Sequence, residues 1–299
     1  VEKEKMLKTF SVLLVGIISI SFAAIFVRFC SDVPSLMIAT YRLTIASIIL
    51  AVIYRLRGHT FGRLNKKDFL LSMLSGVILS IHFVSWFASI KMTSVASSVV
   101  LVTTNPIFVG IFSWFILKEK QSPALIAGIV LSFLGSAILA VGDGGLHNLV
   151  LTDKTALIGD GLALLGAIAA SGYLILGSKV RENVDLLTYI TIAYGFSAVV
   201  LIVTSLLTQT PFTGYNPSSY IFMILLAVVP QLLGHTSFNW ALKHLKASMV
   251  AISILGEPIG ASILAYFIFE EQLGIFQLAG MILIFAAIIT ASRRGAKES

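Results

Sequence analysis

The sequence predicts an all-α integral membrane protein with ten transmembrane helices arranged as two inverted five-helix repeats. Composition is the first ground: of 299 residues, 57% are hydrophobic and 12% charged, where a soluble domain carries about 25% charged residues. With a mean hydropathy of +0.97, the chain holds more apolar surface than a soluble core could hide. The second ground is length: apolar runs of about 20 residues, enough to cross a hydrocarbon layer of about 30 Å, recur along the whole chain. The third is a set of landmarks in the first half that reappear 152 positions later.

The spans fall at about 8–29, 35–55, 68–90, 94–117, 122–141, 157–178, 186–208, 218–242, 247–269 and 274–292. The first follows the basic flank of Lys3, Lys5 and Lys8. Its length, and the lack of a clear cleavage site, mark a retained helix rather than a signal peptide. The second carries Arg42 about two turns from its start. In the third, His82 and Trp86 stand four apart and so share a helical face. Asn105-Pro106 interrupts the fourth, which ends in FSWFILKEK. Glycines in the fifth (Gly128, Gly135) and tenth (Gly280) allow close helix packing. The sixth brings Tyr173 and the seventh Tyr194, phenols that need a polar partner. The eighth repeats the third-span spacing with His235 and Asn239, and the ninth holds Glu257-Pro258 as its central feature.

Connections are short except for 142–156, which separates two sets of five spans: residues 1–142 and 155–293. Of the 21 Lys and Arg residues, Arg28, Lys91 and Lys154 lie on the side away from the termini, and Arg42 is within a span. All others flank spans on the terminal side. The positive-inside rule therefore places both termini in the cytoplasm. The net charge of +7 is a topology signal and gives no support to nucleic-acid binding. A single cysteine, Cys30, excludes an intrachain disulfide and a cysteine metal cluster. No cofactor or metal site is expected, because no third ligand stands at a suitable spacing from the histidines.

The repeat pairs Lys91-Met92 with Lys243-His244, Asn105-Pro106 with Glu257-Pro258, Lys118-Glu119-Lys120 with Glu270-Glu271-Gln272, and Gly128 with Gly280. The pairs His82/Trp86 and His235/Asn239 correspond at an offset of 153, so the register slips by one there. Five is odd, so the second copy enters the membrane from the opposite side. Inverted repeats of this kind mark secondary transporters, whose substrate site lies at midplane between the halves. WFASIKMTSVASSVVLVTTNPIFVGIFSWFILKEKQSPALIAGIVLSFLGSAIL and WALKHLKASMVAISILGEPIGASILAYFIFEEQLGIFQLAGMILIFAA resemble the two EamA domains of the drug/metabolite transporter superfamily. GDGLALLGAIAASGYLILGSKV and Arg42 fit as well; SISFAAIF departs from the Trp-Gly pair of many relatives. The resemblance implies a prokaryotic inner-membrane carrier of small metabolites.

Glu257 lies about 16 Å along its helix from Lys246, near mid-bilayer. It reads either as a proton-coupling carboxylate or as an acid that pins a broken helix, since Pro258 supplies no N–H. Pro258 and Pro106 are accordingly gating candidates. His82 and His235 read either as cavity residues or as core histidines bonded to carbonyls. Arg42 could snorkel, pair with Asp32, or meet a substrate carboxylate; it joins the coupling or gating set. The expected cavity comprises Phe22, His82, Trp86, Asn105, Tyr173, His235 and Asn239, which suits amphipathic solutes such as amino acids. The resemblance makes amino-acid export the first expectation, with a carrier of another solute, a nucleoside, vitamin or cationic drug, as the alternative. Protons are the candidate coupling ion, and the chain is expected as a monomer or homodimer in the lipid bilayer. Rival classes lack their parts. Gly260-Ala261-Ser262 with His235 is a poor match to an intramembrane serine protease. There is no H-E-x-x-H, P-loop or filter loop, so no catalytic residue is assigned.

Overall fold

The computed structural model describes residues 2–60, 64–93, 98, 101–144, 154–270 and 273–295, and every regular element among them is helical. The chain runs α1 (Glu2–Phe29), α2 (Ser35–Leu56), α3 (Lys66–Met92), α4 (Asn105–Phe112, continued as a wide π turn over Ser113–Leu117) and α5 (Pro123–Gly144). The second half runs α6 (Lys154–Arg181), α7 (Leu186–Leu207), α8 (Pro217–Leu226), a π segment (Ala227–His235), α9 (Thr236–Ala241), α10 (Ala247–Ile254), α11 (Gly256–Phe269) and α12 (Ile275–Gly295). Among the described residues, seven helical stretches are long and apolar enough to cross a membrane. Shorter apolar helices (Asn105–Leu117, Pro123–Ile138, Ile275–Ala291) occupy the expected fourth, fifth and tenth spans. The opening of the fourth span and the core of the 142–156 link lie outside the described residues.

Local chemistry sets the helix starts. Asn65 Oδ1 accepts the amide of Asp68 at 2.8 Å, and Asp185 Oδ1 accepts that of Thr188 at 3.0 Å, each capping an orphan N–H. Pro217 opens α8, where its missing N–H costs nothing. At that same start, Asp32 ties two connections together. Its Oδ1 accepts from Ser219 Oγ at 2.6 Å and its Oδ2 from the Asn216 amide at 2.7 Å. Those two bonds, the serine first, hold its carboxyl below the usual aspartate range. The tie is therefore complete above that range and is lost only as the pH falls below it, through the lowered folded value.

The two halves interleave. The most extensive pairing joins α5 to α12, one helix from each half. Packing of α3 on α6 is mirrored by α1 on the π segment, α8 and α9, and that of α4 on α6 by α1 on α11. The α2–α7 pair is its own counterpart. Even the caps repeat: Lys118 (φ 59) and Glu270 (φ 58), equivalent in the two copies, both adopt the left-handed conformation at a helix end. The interior holds Arg42, Phe83, Phe87, Tyr189, Tyr194 and Phe238 in full burial, whereas Leu14, Val52, Phe267 and Phe285 face outward. Apolar side chains outside and polar ones within suit a lipid solvent.

Gly76 sets the approach of α3 to α7. A Cβ there would lie 2.2 Å from the backbone oxygen of Ala193, whereas a Cβ at Gly161 would meet nothing within 4 Å. Gly76→Ala is expected to cost about 1–3 kcal/mol by overpacking and to lower the melting temperature in detergent. Gly161→Ala should hold or raise it, since alanine is the better helix former by about 1 kcal/mol. Equal melting temperatures for the two variants would contradict this packing.

Candidate functional site

Two helix breaks define the site. Between α10 and α11, Leu255 (φ −65°, ψ −8°) departs from the α-helix and donates to Ile252 O at 3.1 Å, three residues back. In the other half Thr104 (φ −71°, ψ −4°) donates to Leu101 O at 3.2 Å in the same manner. A proline follows each break, Pro258 and Pro106, with no N–H to return to the preceding turn. The halves support one another's breaks. Ser21 on α1 donates to the carbonyl of Glu257 at 3.4 Å, and Ser171 on α6 donates to the carbonyl of Asn105 at 3.0 Å. Gly256 and Gly260 admit α1 beside the second break. A Cβ at Gly260 would sit 2.1 Å from Ser21 Oγ, and one at Gly256 2.6 Å from Ile17 Cγ2.

A cavity with about 1050 Å³ of empty volume, its mouth included, opens between the breaks. Ala23 and Ala24 of α1, Val102 and Thr103, Ala170 and Leu174 of α6, and Phe238 give it apolar walls. Its polar groups are Arg42, His82, Trp86, Asn105, Tyr173, His235 and Glu257, with Pro258 beside the acid. Eight of the residues singled out from sequence thus meet in one cavity, drawn from both halves.

Three others do not line it. Phe22 stacks on Phe26 at 5.6 Å; the cavity face of α1 is Ile20, Ala23 and Ala24, the i, i+3, i+4 stripe, and residue 22 points away from it. Pro106 is buried one residue past Asn105, about 100° further round the helix. Asn239 lies behind the wall: its Nδ2 donates to Tyr173 Oη at 2.6 Å and to Tyr194 Oη at 3.1 Å. Of the three alternatives for Arg42, pairing with Asp32 is not formed, since Asp32 serves Asn216 and Ser219.

His82 faces a backbone carbonyl on one side and the cavity on the other. Its Nδ1 lies 2.9 Å from the carbonyl of Gly166, which assigns the proton to Nδ1 and leaves Nε2 as an acceptor. The ring also lines the cavity and stacks on Trp86 at 5.9 Å. His235 packs edge-on to Phe83 at 5.5 Å. Ser262 donates to the Pro258 carbonyl at 2.9 Å, a local helix bond.

Beneath the cavity, toward the end that bears the termini, runs a buried polar network. Arg42 Nε donates to Gln231 Oε1 at 2.8 Å. Tyr194 contacts Gln231, Tyr173 and Asn239 through its hydroxyl, Tyr173 contacts Tyr189, and Tyr189 Oη lies 2.6 Å from Ser75 Oγ. Arg181 Nε donates to the carbonyl of Asn239 at 3.1 Å and its Nη1 to that of Val184. Gln231, Tyr189, Arg181 and the two serines were missed by the sequence reading. Gln231 had one signal: Pro230, inside the apolar run, sits in the π segment that carries it. That segment also accounts for the slip in the repeat, because π turns hold extra residues. The starts of α3 and α8 are 151 residues apart (Lys66, Pro217), and His82 and His235, the latter at the end of the widened segment, are 153 apart.

Asn239→Leu removes two donors and leaves the Tyr173 and Tyr194 hydroxyls short of partners, at a cost of about 1–3 kcal/mol. The variant should melt lower than wild type, with much of the loss relieved by adding Tyr173→Phe. Strictly additive losses in the double variant would argue against the network.

The chain matches the EamA-like transporter family twice, over residues 7–141 and 157–293. It is similar to an uncharacterized transporter of Archaeoglobus fulgidus, 27% identical over 257 residues that cover 84% of this chain and 85% of the relative. It is also similar to human solute carrier family 35 member G1, 25% identical over 286 residues, 92% of this chain and 76% of that one. A crystal structure with 17% identity superposes at a TM-score of 0.78, covering 97% of this chain and 99% of the other.

Proposed function

The chain belongs to the EamA-like transporter family, and from that premise we propose that it is a secondary carrier of small metabolites, first among them amino acids, working by alternating access. The observation that carries the reading is the cavity itself: it lies between the repeats and touches both proline-linked breaks. A carrier needs its substrate site where two bistable elements meet, so that binding biases both. Apolar walls with a few convergent polar groups suit an amphipathic solute. The guanidinium of Arg42 and the carboxyl of Glu257, contributed by opposite halves, supply both polarities of a zwitterion.

With the termini in the cytoplasm of a prokaryotic cell, the polar network lies on the cytoplasmic side of the cavity. Glu257 is the proton-coupling residue of the scheme: loaded with a proton in one orientation and relieved of it in the other, it links proton entry to the return of the carrier.

Purified protein in liposomes preloaded with unlabelled apolar amino acids should take up the labelled compound by saturable counterflow. Glu257→Gln should retain exchange between two amino-acid pools but lose acceleration by an imposed pH gradient. Flux that is linear in concentration would contradict a carrier, and a Glu257→Gln variant with full pH-driven transport would remove the acid from coupling.

A further inference from the structure

Arg42, in the second span, is 1% exposed and belongs to the cavity lining. Each side of the guanidinium has a different fate. Nε donates to Gln231 Oε1 at 2.8 Å, held there by the π segment of the facing half. The planar group lies 4.3 Å over the ring of Phe83, where a cation is attracted to the π face. Among the described residues Nη1 and Nη2, both buried, have no hydrogen-bond partner, Glu257 included. The end-on edge of the fork, the part that matches a carboxylate in two parallel bonds, is thus left open on a residue of the cavity lining while the other contacts fix its orientation. A buried cation is costly unless a counter-charge meets it. Asn105, 7% exposed and also in the lining, has a buried Oδ1 without a hydrogen-bond partner among the described residues, an acceptor for an N–H on the same solute.

We propose that Arg42 is the carboxylate anchor of the cavity: the transported solute carries a free carboxylate that the two terminal nitrogens bind side by side, with its apolar body against Trp86 and Phe238. This deepens the carrier reading above and rests on it. It also assigns Gln231 a role as the positioning residue that aims the fork. Solutes that lack the carboxylate leave the guanidinium unpaired and are rejected for that reason, the discrimination expected of a site built around a hydrogen-bonding charge.

The test is a thermal-shift titration of the purified protein with matched pairs: leucine and leucinamide, methionine and methioninamide, phenylalanine and phenylalaninamide, together with 3-phenylpropionate, which has the carboxylate and no amine. The expected result is stabilisation by at least one free acid and none by its amide, with affinity at least tenfold weaker in Arg42→Lys and Arg42→Gln. Lysine keeps the charge but not the fork, so its loss separates bidentate binding from simple attraction. Amides that stabilise as well as their acids, no stabilisation by any carboxylate, or unchanged affinity in folded Arg42→Gln would each overturn the anchor. If Arg42→Gln does not fold, the acid–amide comparison on wild type and the Arg42→Lys titration decide. Binding of 3-phenylpropionate without any amino acid would uphold the anchor and remove the amino-acid reading. Amino acids and their amides binding alike would do the reverse.

Discussion

A proline inside a bilayer leaves a carbonyl without its helical donor, and there is no water in the hydrocarbon to replace it. This chain places such a proline at the middle of an apolar helix in each half, and the rest of the architecture answers that constraint. Each broken helix is held by a helix of the opposite repeat, α1 against α11 and α6 against α4, where Ser21 and Ser171 reach the carbonyls of Glu257 and Asn105 besides bonding within their own helices. The carbonyls that the prolines leave without a donor belong to Ile254 and Val102, four residues back, and both residues line the cavity. Irregular backbone at this depth is tolerated where it is buried in protein or faces a cavity. Here it does both.

Because each half supports the other's break, neither half is a self-sufficient body. The interleaved packing makes the cavity a shared property: α1, α3 and α6 wall it together with the two broken helices and the end of the eighth span. A solute bound at Arg42, in the first repeat, and near Glu257, in the second, would act on both copies at once. The pseudo-symmetry is incomplete where charge and helix geometry are concerned. Asn105 stands where the other copy has Glu257, and the π segment with Pro230 and Gln231 has no partner in the regular α3. Those differences fall around the cavity, where the two halves need to do different work.

Hydropathy made the helical membrane fold legible, and the 152-residue repeat made the pairing of halves legible, because both depend on side-chain pattern alone. Most cavity residues were also visible, since a polar side chain in a long apolar run has few other places to go. Phe22 was misplaced for the opposite reason: an aromatic residue carries no signal of which helix face it occupies. Asn239 shares the spacing of a cavity pair but turns to Tyr173 and Tyr194. What could not be read were contacts across the fold. Gln231 under Arg42, Ser21 on the Glu257 carbonyl and Arg181 on Asn239 each join residues more than fifty positions apart, and nothing local distinguishes them. The one-residue register slip was visible in the sequence, yet its cause, a widened turn at Pro230, required the structure.

The central claim is that the cavity between the two breaks opens to each face of the membrane in turn. Cys30 is the only cysteine, so a Cys30→Ser background can carry a single reporter at Ala261, an alanine of the cavity wall on α11. Labelling that reporter with a membrane-impermeant maleimide, applied to one face of oriented vesicles at a time, tests the claim most directly. The account predicts reaction from both faces, with the ratio of the two rates changing when transported solute is supplied on one side. Reaction from a single face under every condition would contradict it.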